Sequence, residues 1–311
     1  MVRDNGIWAI TAYFNPAGYR RRRENFRHFR DRLGIPLLAV ELGFNGFELG
    51  ANDAEILIRT SIGDVMWQKE RLLNLGLAAL PATCGQVAWI DSDIIFERRD
   101  WWEDASAALD KAPVVQLFSH LNLMPRDALP GDLRPEAAEA RLEALSRAVR
   151  SGMSPRQCLS ATRTASAHAY SASPAWAIRR DVLETFGFYD ACVVGGGDSA
   201  LVAAFHGLFD LVVDRHRMNE ARAEHYLAWA RPVADAVAGN VAVIEGDAFH
   251  LWHGRLDDRR YAQRHADFSR FGFDPNHDIA VSDSGAWRWN SAKPAMHAYV
   301  ASYFRSRRED G

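Results

Sequence analysis

The chain has 311 residues, of which 48% are hydrophobic and 25% are charged, and its net charge is −3. This is the composition of an ordinary globular protein, and the slightly acidic balance argues against general binding to nucleic acid or to anionic membranes. Three widely separated cysteines, no signal-peptide pattern and no apolar run of about 18 residues predict a cytoplasmic protein without a disulfide framework, a zinc site or a transmembrane helix.

Strands and helices alternate in the first 118 residues. Apolar runs predict strands at 7–14, 36–42, 56–58, 87–90 and 114–118. Helical spacing predicts helices at 19–33, 64–80 and 101–109. The first helix carries the run Arg20–Arg23, which we expect on its solvated face. This alternation is typical of an α/β fold with a mostly parallel central sheet.

Residues 119–167 interrupt the alternation. Leu142, Leu145 and Val149 are spaced for one face of an amphipathic helix over 134–151, inside polar flanking segments. We expect this stretch to be a helical insertion that borders the functional site.

Order resumes after the insertion. Predicted strands lie at 169–170, 175–178, 211–213, 241–244 and 248–252, and predicted helices at 180–186, 199–207 and 217–237. The sequence therefore predicts one domain over 1–265, with a first half (1–118), the insertion (119–167) and a second half (168–265). Residues 266–311 are expected to pack on it as an extension.

An acidic pair follows the predicted strand 87–90. Asp91 and Asp93 are separated by Ser92 at the strand's end, which is where open α/β sheets bind ligands. Two nearby carboxylates suit a hard divalent cation and, through it, a diphosphate. The alternative is a pair that only caps the loop.

Three other segments carry candidate residues. His250 and His253 would point to opposite sides of a strand, so we expect only one to reach a cation beside the acidic pair. Asp198 follows three glycines and is either a helix N-cap or a general base. Lys69 would meet a phosphate or lie on an exposed helix face.

Several common nucleotide and nucleophile motifs do not occur in the sequence. It has no G-x-x-x-x-G-K-[ST] loop and no G-x-S-x-G elbow, and its first strand is not followed by G-x-G-x-x-G. These absences argue against a P-loop ATPase, an α/β-hydrolase and a dinucleotide-binding Rossmann domain.

Taken in order, the segments over residues 7–265 resemble the GT-A superfamily of nucleotide-sugar glycosyltransferases. The nearest likeness is to the inverting, family-2-like group and to the C-terminal half of galactosyltransferases. The segments that carry the resemblance are residues 10–15, 69–76, 91–93, 175–180, 187–190, 196–201 and 250–254.

The resemblance implies that residues 1–118 form the nucleotide-binding half and residues 168–265 the acceptor and catalytic half. It also implies a set of roles for the candidate residues. Asp91 and Asp93 would hold Mn²⁺ or Mg²⁺ on the donor's diphosphate, Asp93 more directly, with His253 as the late metal ligand and His250 as its substitute. The remaining nucleotide contacts would come from Thr11, Tyr13, Asn15, Lys69 and Ser92. Asp198 would be the catalytic base.

The implied activity is transfer of a hexosyl group from a nucleoside-diphosphate sugar, with UDP favoured, to the hydroxyl of a glycan, a lipid-linked sugar or a small molecule. Many relatives have an acidic residue where this chain has Gly197, so retention stays possible beside the inversion that Asp198 would give. The alternatives are a nucleotidyltransferase on the same fold and a non-catalytic glycan-binding module that uses some of the ten tryptophans. The sequence does not specify the oligomeric state.

Overall fold

A central seven-stranded sheet organises the residues that the computed structural model describes, which are 6–129, 131–161 and 170–311. In chain order, the strands are β1 (Ile7–Phe14), β2 (Leu37–Leu42), β3 (Ile56–Thr60), β4 (Gln86–Ile90), β5 (Ile94–Phe96), β6 (Val114–Gln116), β7 (His120–Leu123), β8 (Ala140–Ala144), β9 (Tyr170–Ser171), β10 (Ala175–Arg179), β11 (Val241–Val243), β12 (Asp247–His250), β13 (Ile279–Val281) and β14 (Trp287–Trp289). The helices are α1 (Arg20–Arg32), α2 (Lys69–Ala78), α3 (Trp101–Leu109), α4 (Leu145–Arg150), α5 (Pro155–Ala161), α6 (Arg180–Phe186), α7 (Gly197–Phe205), α8 (Phe209–Arg215), α9 (Glu220–Val237), α10 (Gln263–Ser269), α11 (Pro275–Asp278) and α12 (Pro294–Ser306).

The central sheet has the strand order β11-β6-β10-β4-β1-β2-β3, and every neighbouring pair is parallel except those of β10. Both faces are covered, so alternate residues of one strand enter different core clusters. In β4, Val87 and Trp89 pack on one side, whereas Ala88 and Ile90 pack on the other. Burial on both faces explains the continuous apolar runs. The predicted α/β class with a mostly parallel sheet is confirmed.

Two predicted elements are wrong. The helix predicted over 134–151 is a short 3₁₀ turn, strand β8 and the short helix α4, because Leu142 pairs with Leu121 of β7 instead of continuing a helical face. The strand predicted at 211–213 is part of helix α8, and Val212 is the buried residue of that helix. In both places tertiary packing overrides the local pattern.

Smaller differences concern element ends. The helix predicted over 64–80 begins only at Lys69. Of the strand predicted at 169–170, Ala169 lies outside the described residues, as does the end of the proposed insertion at 162–167. Throughout the described ranges, no helix combines the length and the apolar character needed to cross a bilayer.

A second sheet joins the insertion to the rest of the chain. Its order is β5-β12-β7-β8-β9. Strand β5 follows β4 after only three residues, Asp91, Ser92 and Asp93, so these residues connect the two sheets. Strand β12 pairs with β5 and places His250 opposite Ile94. The two sheets thereby bring the acidic pair and the histidine segment together.

The last residues of the chain contact its first helix through a buried ion-pair cluster. Glu309, which is fully buried, accepts hydrogen bonds from Arg22 Nε at 2.5 Å and Nη2 at 2.9 Å, and from Arg307 Nε at 2.5 Å. Burial opposes the ionisation of Glu309, but the two guanidinium groups outweigh it and hold its pKa below the ordinary value. The division of the chain at residue 265 stays a prediction.

We predict that Glu309→Gln lowers the free energy of unfolding at pH 7 by about 3 kcal/mol, because it leaves two guanidinium groups without their shared counter-ion. Since the folded-state pKa of Glu309 is lowered, its contribution is complete above the unfolded pKa and is lost as the pH falls below it. The difference between variant and wild type in urea unfolding should therefore shrink in acid. The exposed Glu103→Gln is the control, and a pH-independent difference would contradict the ion-pair account.

Candidate functional site

The connection between β4 and β5 fixes the acidic pair by backbone hydrogen bonds. Asp91 N–H donates to Pro174 O at 3.1 Å, and Ile94 N–H donates to Asp91 O at 3.1 Å. Asp93 O accepts from Leu251 N–H at 2.9 Å. These bonds hold the two carboxylates at the carboxyl end of the central sheet, where such folds place ligands.

Asp93, His250 and His253 form a group whose ligand atoms all lie within 4.8 Å of one another. His250 Nε2 is 3.6 Å from Asp93 Oδ1, and His253 Nδ1 is 3.1 Å from Asp93 Oδ2. The expectation that only one histidine reaches this place is wrong. Strand β12 ends at His250, so strand alternation does not extend to His253, and the ring centroids of the two histidines are 4.7 Å apart.

The donor set of this group fits a divalent cation. Burial and the neighbouring Arg259 lower the pKa of His253 well below its ordinary value, so the imidazole is neutral. Asp93 Oδ1 is buried and has no hydrogen-bond partner within the described part of the chain. Two imidazoles and a carboxylate suit a first-row ion such as Mn²⁺ better than Mg²⁺.

Asp91 pairs with Lys69 instead of joining that group. The Lys69 ammonium, at the start of α2 and 7% exposed, lies 2.5 Å from Asp91 Oδ1 and 2.8 Å from Asp198 Oδ1. Burial would lower the pKa of Lys69, but the two aspartates raise it above the ordinary value. Burial raises the pKa of Asp91 to about 6, although Lys69 opposes this. Lys69 thus fixes two carboxylates that come from distant segments.

The glycine-rich loop before α7 makes room for a buried carboxyl that sequence reasoning missed. Gly196 has a φ of 101°, and a Cβ on Gly197 would lie 2.0 Å from Glu70 Oε1. Burial raises the pKa of Glu70 to about 8. Glu70 follows Lys69 in the helix, and its position beneath Asp198 depends on how α2 packs against α7, which no local pattern encodes.

The residues at the end of β1 surround a further carboxylate, Glu48. Tyr13 Oη donates to Glu48 Oε2 at 2.6 Å, and Asn15 Nδ2 donates to Glu48 Oε1 at 2.9 Å. Tyr13 and Ser92 line the same cleft as Asp91, Asp93 and Asp198. The Thr11 hydroxyl is buried and donates to Ile90 O at 2.7 Å. The expected nucleotide contact of Thr11 is untested, and this internal hydrogen bond argues against it.

Another part of the cleft wall comes from segments that sequence reasoning did not assign to the site. It includes Arg22, from the run predicted to lie on a solvated helix face. Its other charged members follow His253 in the chain and are Arg259, Arg264, Arg307 and Glu309. The arginine-rich composition of the chain's end was the one available signal, and it did not show which side chains are buried.

No family model matches this chain, and no curated protein matches it. Among solved structures, S. aureus TarS is similar over 85% of this chain and 39% of that chain, at 12% identity and a TM-score of 0.43. A part of TarS in complex with UDP-GlcNAc is similar over 64% and 52%, at 14% identity and a TM-score of 0.37. The chain spans about two fifths of the longer TarS chain.

A third similar structure is a mutant of Drosophila beta1,4-galactosyltransferase 7 in complex with manganese, UDP-Gal and xylobiose. It is similar over 94% of this chain and 98% of that chain, at 9% identity and a TM-score of 0.37. In all three comparisons the sequence identity is below 15% and the TM-score is below 0.5.

We predict that Glu70→Gln flattens the pH dependence of stability. The raised pKa of Glu70 means that its contribution is complete below the unfolded pKa and is lost as the pH rises toward about 8. Each pKa unit corresponds to roughly 1.4 kcal/mol. Urea unfolding measures the free energy of unfolding between about pH 5 and pH 8. We expect this free energy to decline with rising pH in the wild type and in the exposed control Glu136→Gln, and to decline less in Glu70→Gln. Parallel curves would contradict this account.

We also predict that Thr11→Val costs about 1 kcal/mol of stability but leaves nucleotide affinity unchanged, because the lost bond is internal to the sheet. Tyr13→Phe is the matched comparison, because Tyr13 lines the cleft and its hydroxyl fixes Glu48, and this change should weaken nucleotide binding several-fold. Calorimetry with UDP and Mn²⁺ measures the nucleotide affinity of both variants, and urea unfolding measures their stability. A tenfold loss in Thr11→Val would show that Thr11 contacts the nucleotide after all.

Proposed function

We propose that the protein is a metal-dependent glycosyltransferase that moves a hexosyl group from a nucleoside-diphosphate sugar, with UDP favoured, to an acceptor hydroxyl with inversion. One observation carries this proposal. A metal-capable group, Asp93, His250 and His253, and a separate carboxylate, Asp198, line the same cleft at the carboxyl end of the parallel sheet. Diphosphate binding and proton removal are thereby assigned to different residues.

Asp93, His250 and His253 would hold Mn²⁺, and Asp91 would add a further carboxylate to the same cleft. When bound, the ion would supply Lewis-acid stabilisation of the charge that grows on the leaving diphosphate. Lys69 would keep Asp91 and Asp198 in place while donor and ion enter, since its ammonium contacts both carboxylates.

The nucleotide would lie against the end of β1. The half-buried Glu48 carboxylate is fixed by two hydrogen bonds, from Tyr13 and Asn15. A fixed carboxylate of this kind accepts hydrogen bonds from vicinal hydroxyl groups, as a ribose presents them. Ser92, between the two aspartates, lines the same cleft and would contact the phosphates.

Asp198 would act as the general base. It occupies the first turn of α7, and Lys69 contacts its Oδ1, so Oδ2 would take the proton of the acceptor hydroxyl. The acceptor oxygen would then attack the anomeric carbon from the face opposite the diphosphate, which inverts that centre. The buried surroundings of the cleft would keep water away from the donor.

We predict that Asp93→Asn abolishes Mn²⁺-dependent UDP binding, whereas Asp198→Asn retains this binding and loses turnover by at least a factor of ~10². Calorimetry with UDP and Mn²⁺, and release of UDP from a panel of UDP-sugars and acceptors, measure the two properties. Asp110→Asn, an exposed change, is the control. Full turnover in Asp198→Asn would remove Asp198 as the base.

Product analysis separates the other candidate activities. A nucleotidyltransferase would release pyrophosphate from a nucleoside triphosphate, whereas the proposed enzyme releases a nucleoside diphosphate from a sugar donor. A non-catalytic glycan-binding module would bind glycans without Mn²⁺ and release neither product.

A further inference from the structure

One part of the cleft wall, formed by Arg22, Arg259, Arg264 and Arg307, is cationic and largely buried. Arg264 and Arg307 are each 4% exposed and Arg259 is 7% exposed, yet all three line the cleft together with Arg22. Arginine is rarely buried to this extent without a counter-ion. A buried guanidinium group is therefore expected to have a counter-ion, which can be a side chain or a bound anion.

One buried carboxylate serves part of this wall. Glu309 pairs with Arg22 and Arg307. Among the described residues, neither Arg259 nor Arg264 has a carboxylate within 4.0 Å. The wall thus holds four guanidinium groups against a single carboxylate.

The contacts of Arg259 and Arg264 are to neutral groups. Arg259 Nη2 donates to His253 O at 3.4 Å, and Arg264 Nη1 donates to Tyr303 Oη at 2.5 Å. The Nε atoms of both arginines are buried and have no hydrogen-bond partner within the described ranges. Arg264 also lies over the rings of Tyr261 and Tyr303, at 5.1 and 5.3 Å from their centroids. Such contacts orient the side chains but do not neutralise them.

The positive potential of these arginines also acts on the neighbouring phenol of Tyr303. Burial would raise the pKa of Tyr303, but Arg264 and Arg307 outweigh burial and lower it. Keeping unneutralised charges buried costs free energy, and an anion that enters the cleft would offset that cost. Guanidinium groups match the oxygens of phosphate in geometry as well as in charge.

We infer that Arg259 and Arg264 form an anion subsite that binds a phosphate group of the substrate beside the Asp93, His250 and His253 group. Arg259 contacts the backbone of His253, so the subsite and the metal-capable group share a wall. The phosphate belongs either to the donor's diphosphate or to a phosphorylated acceptor. The assignment of the phosphate to a substrate rests on the proposed function, whereas the anion subsite itself does not.

The first experiment titrates the full chain with inorganic pyrophosphate in the presence of EDTA, so that no metal contributes. Wild type should bind, and Arg259→Gln and Arg264→Gln should each bind at least ~10-fold more weakly. The exposed Arg260→Gln and Arg270→Gln remove the same charge next to the wall and should bind as wild type does. Equal weakening in all four variants would overturn the subsite, because it would show a general charge effect.

Thermal unfolding keeps the test decisive if a variant folds poorly. Without ligand, Arg264→Gln should be at least as stable as wild type, because it removes a buried charge that lacks a counter-ion. Pyrophosphate should then raise the Tm of wild type and not that of the variant. A variant that is much less stable than wild type, yet gains the same Tm increase from pyrophosphate, would overturn the inference.

A second experiment identifies the source of the phosphate. If affinity for UDP with Mn²⁺ falls in Arg264→Gln, the subsite binds the donor's diphosphate. If UDP affinity is unchanged while pyrophosphate binding is lost, the subsite binds an anionic acceptor. Absence of glycosyl transfer with intact pyrophosphate binding would refute the proposed function alone, and the reverse result would refute the subsite alone.

Discussion

The Lys69 ammonium is the interaction on which the cleft depends. It contacts Asp91 at the end of β4 and Asp198 at the start of α7, two segments more than a hundred residues apart in the chain. Without this cation, the carboxylates of Asp91, Asp93 and Asp198 would face one another in a partly buried space, which is strongly unfavourable. Lys69 therefore has a structural role in the cleft, because it holds the two carboxylates together.

The cleft separates its charges into two halves. In one half, Lys69 pairs with Asp91 and Asp198, and the group of Asp93, His250 and His253 could hold a divalent cation. On the other side, four arginines surround Glu309. A ligand that carries both a cation and phosphate groups would complement the two halves at once, since each half lacks the charge that the ligand brings.

The second sheet explains why the two halves meet. Strand β5 continues directly from the acidic pair, and β12 pairs with β5 before the chain reaches His253. Arg259 and Arg264 follow a few residues later, and the C-terminal helix α12 leads to Arg307. The same connection that fixes Asp93 thus positions the metal-capable histidines and starts the segment that forms the cationic wall.

The sequence by itself determined the alternation of strands and helices over the first half of the chain, because apolar runs of β4 and its neighbours are buried on both faces whatever the details of packing. It also placed Asp91, Asp93, His250, His253 and Asp198 at or near the ends of predicted elements, which made them candidate site residues. It did not determine β8, because Leu142 and Leu145 fit a helix until β7 offers a partner strand. Only the tertiary structure decided that both histidines reach Asp93, that Lys69 bridges two aspartates, and that Glu70 and the arginines are buried. Each of these depends on contacts between segments distant in sequence, and burial and charge pairing arise from such contacts and not from local spacing.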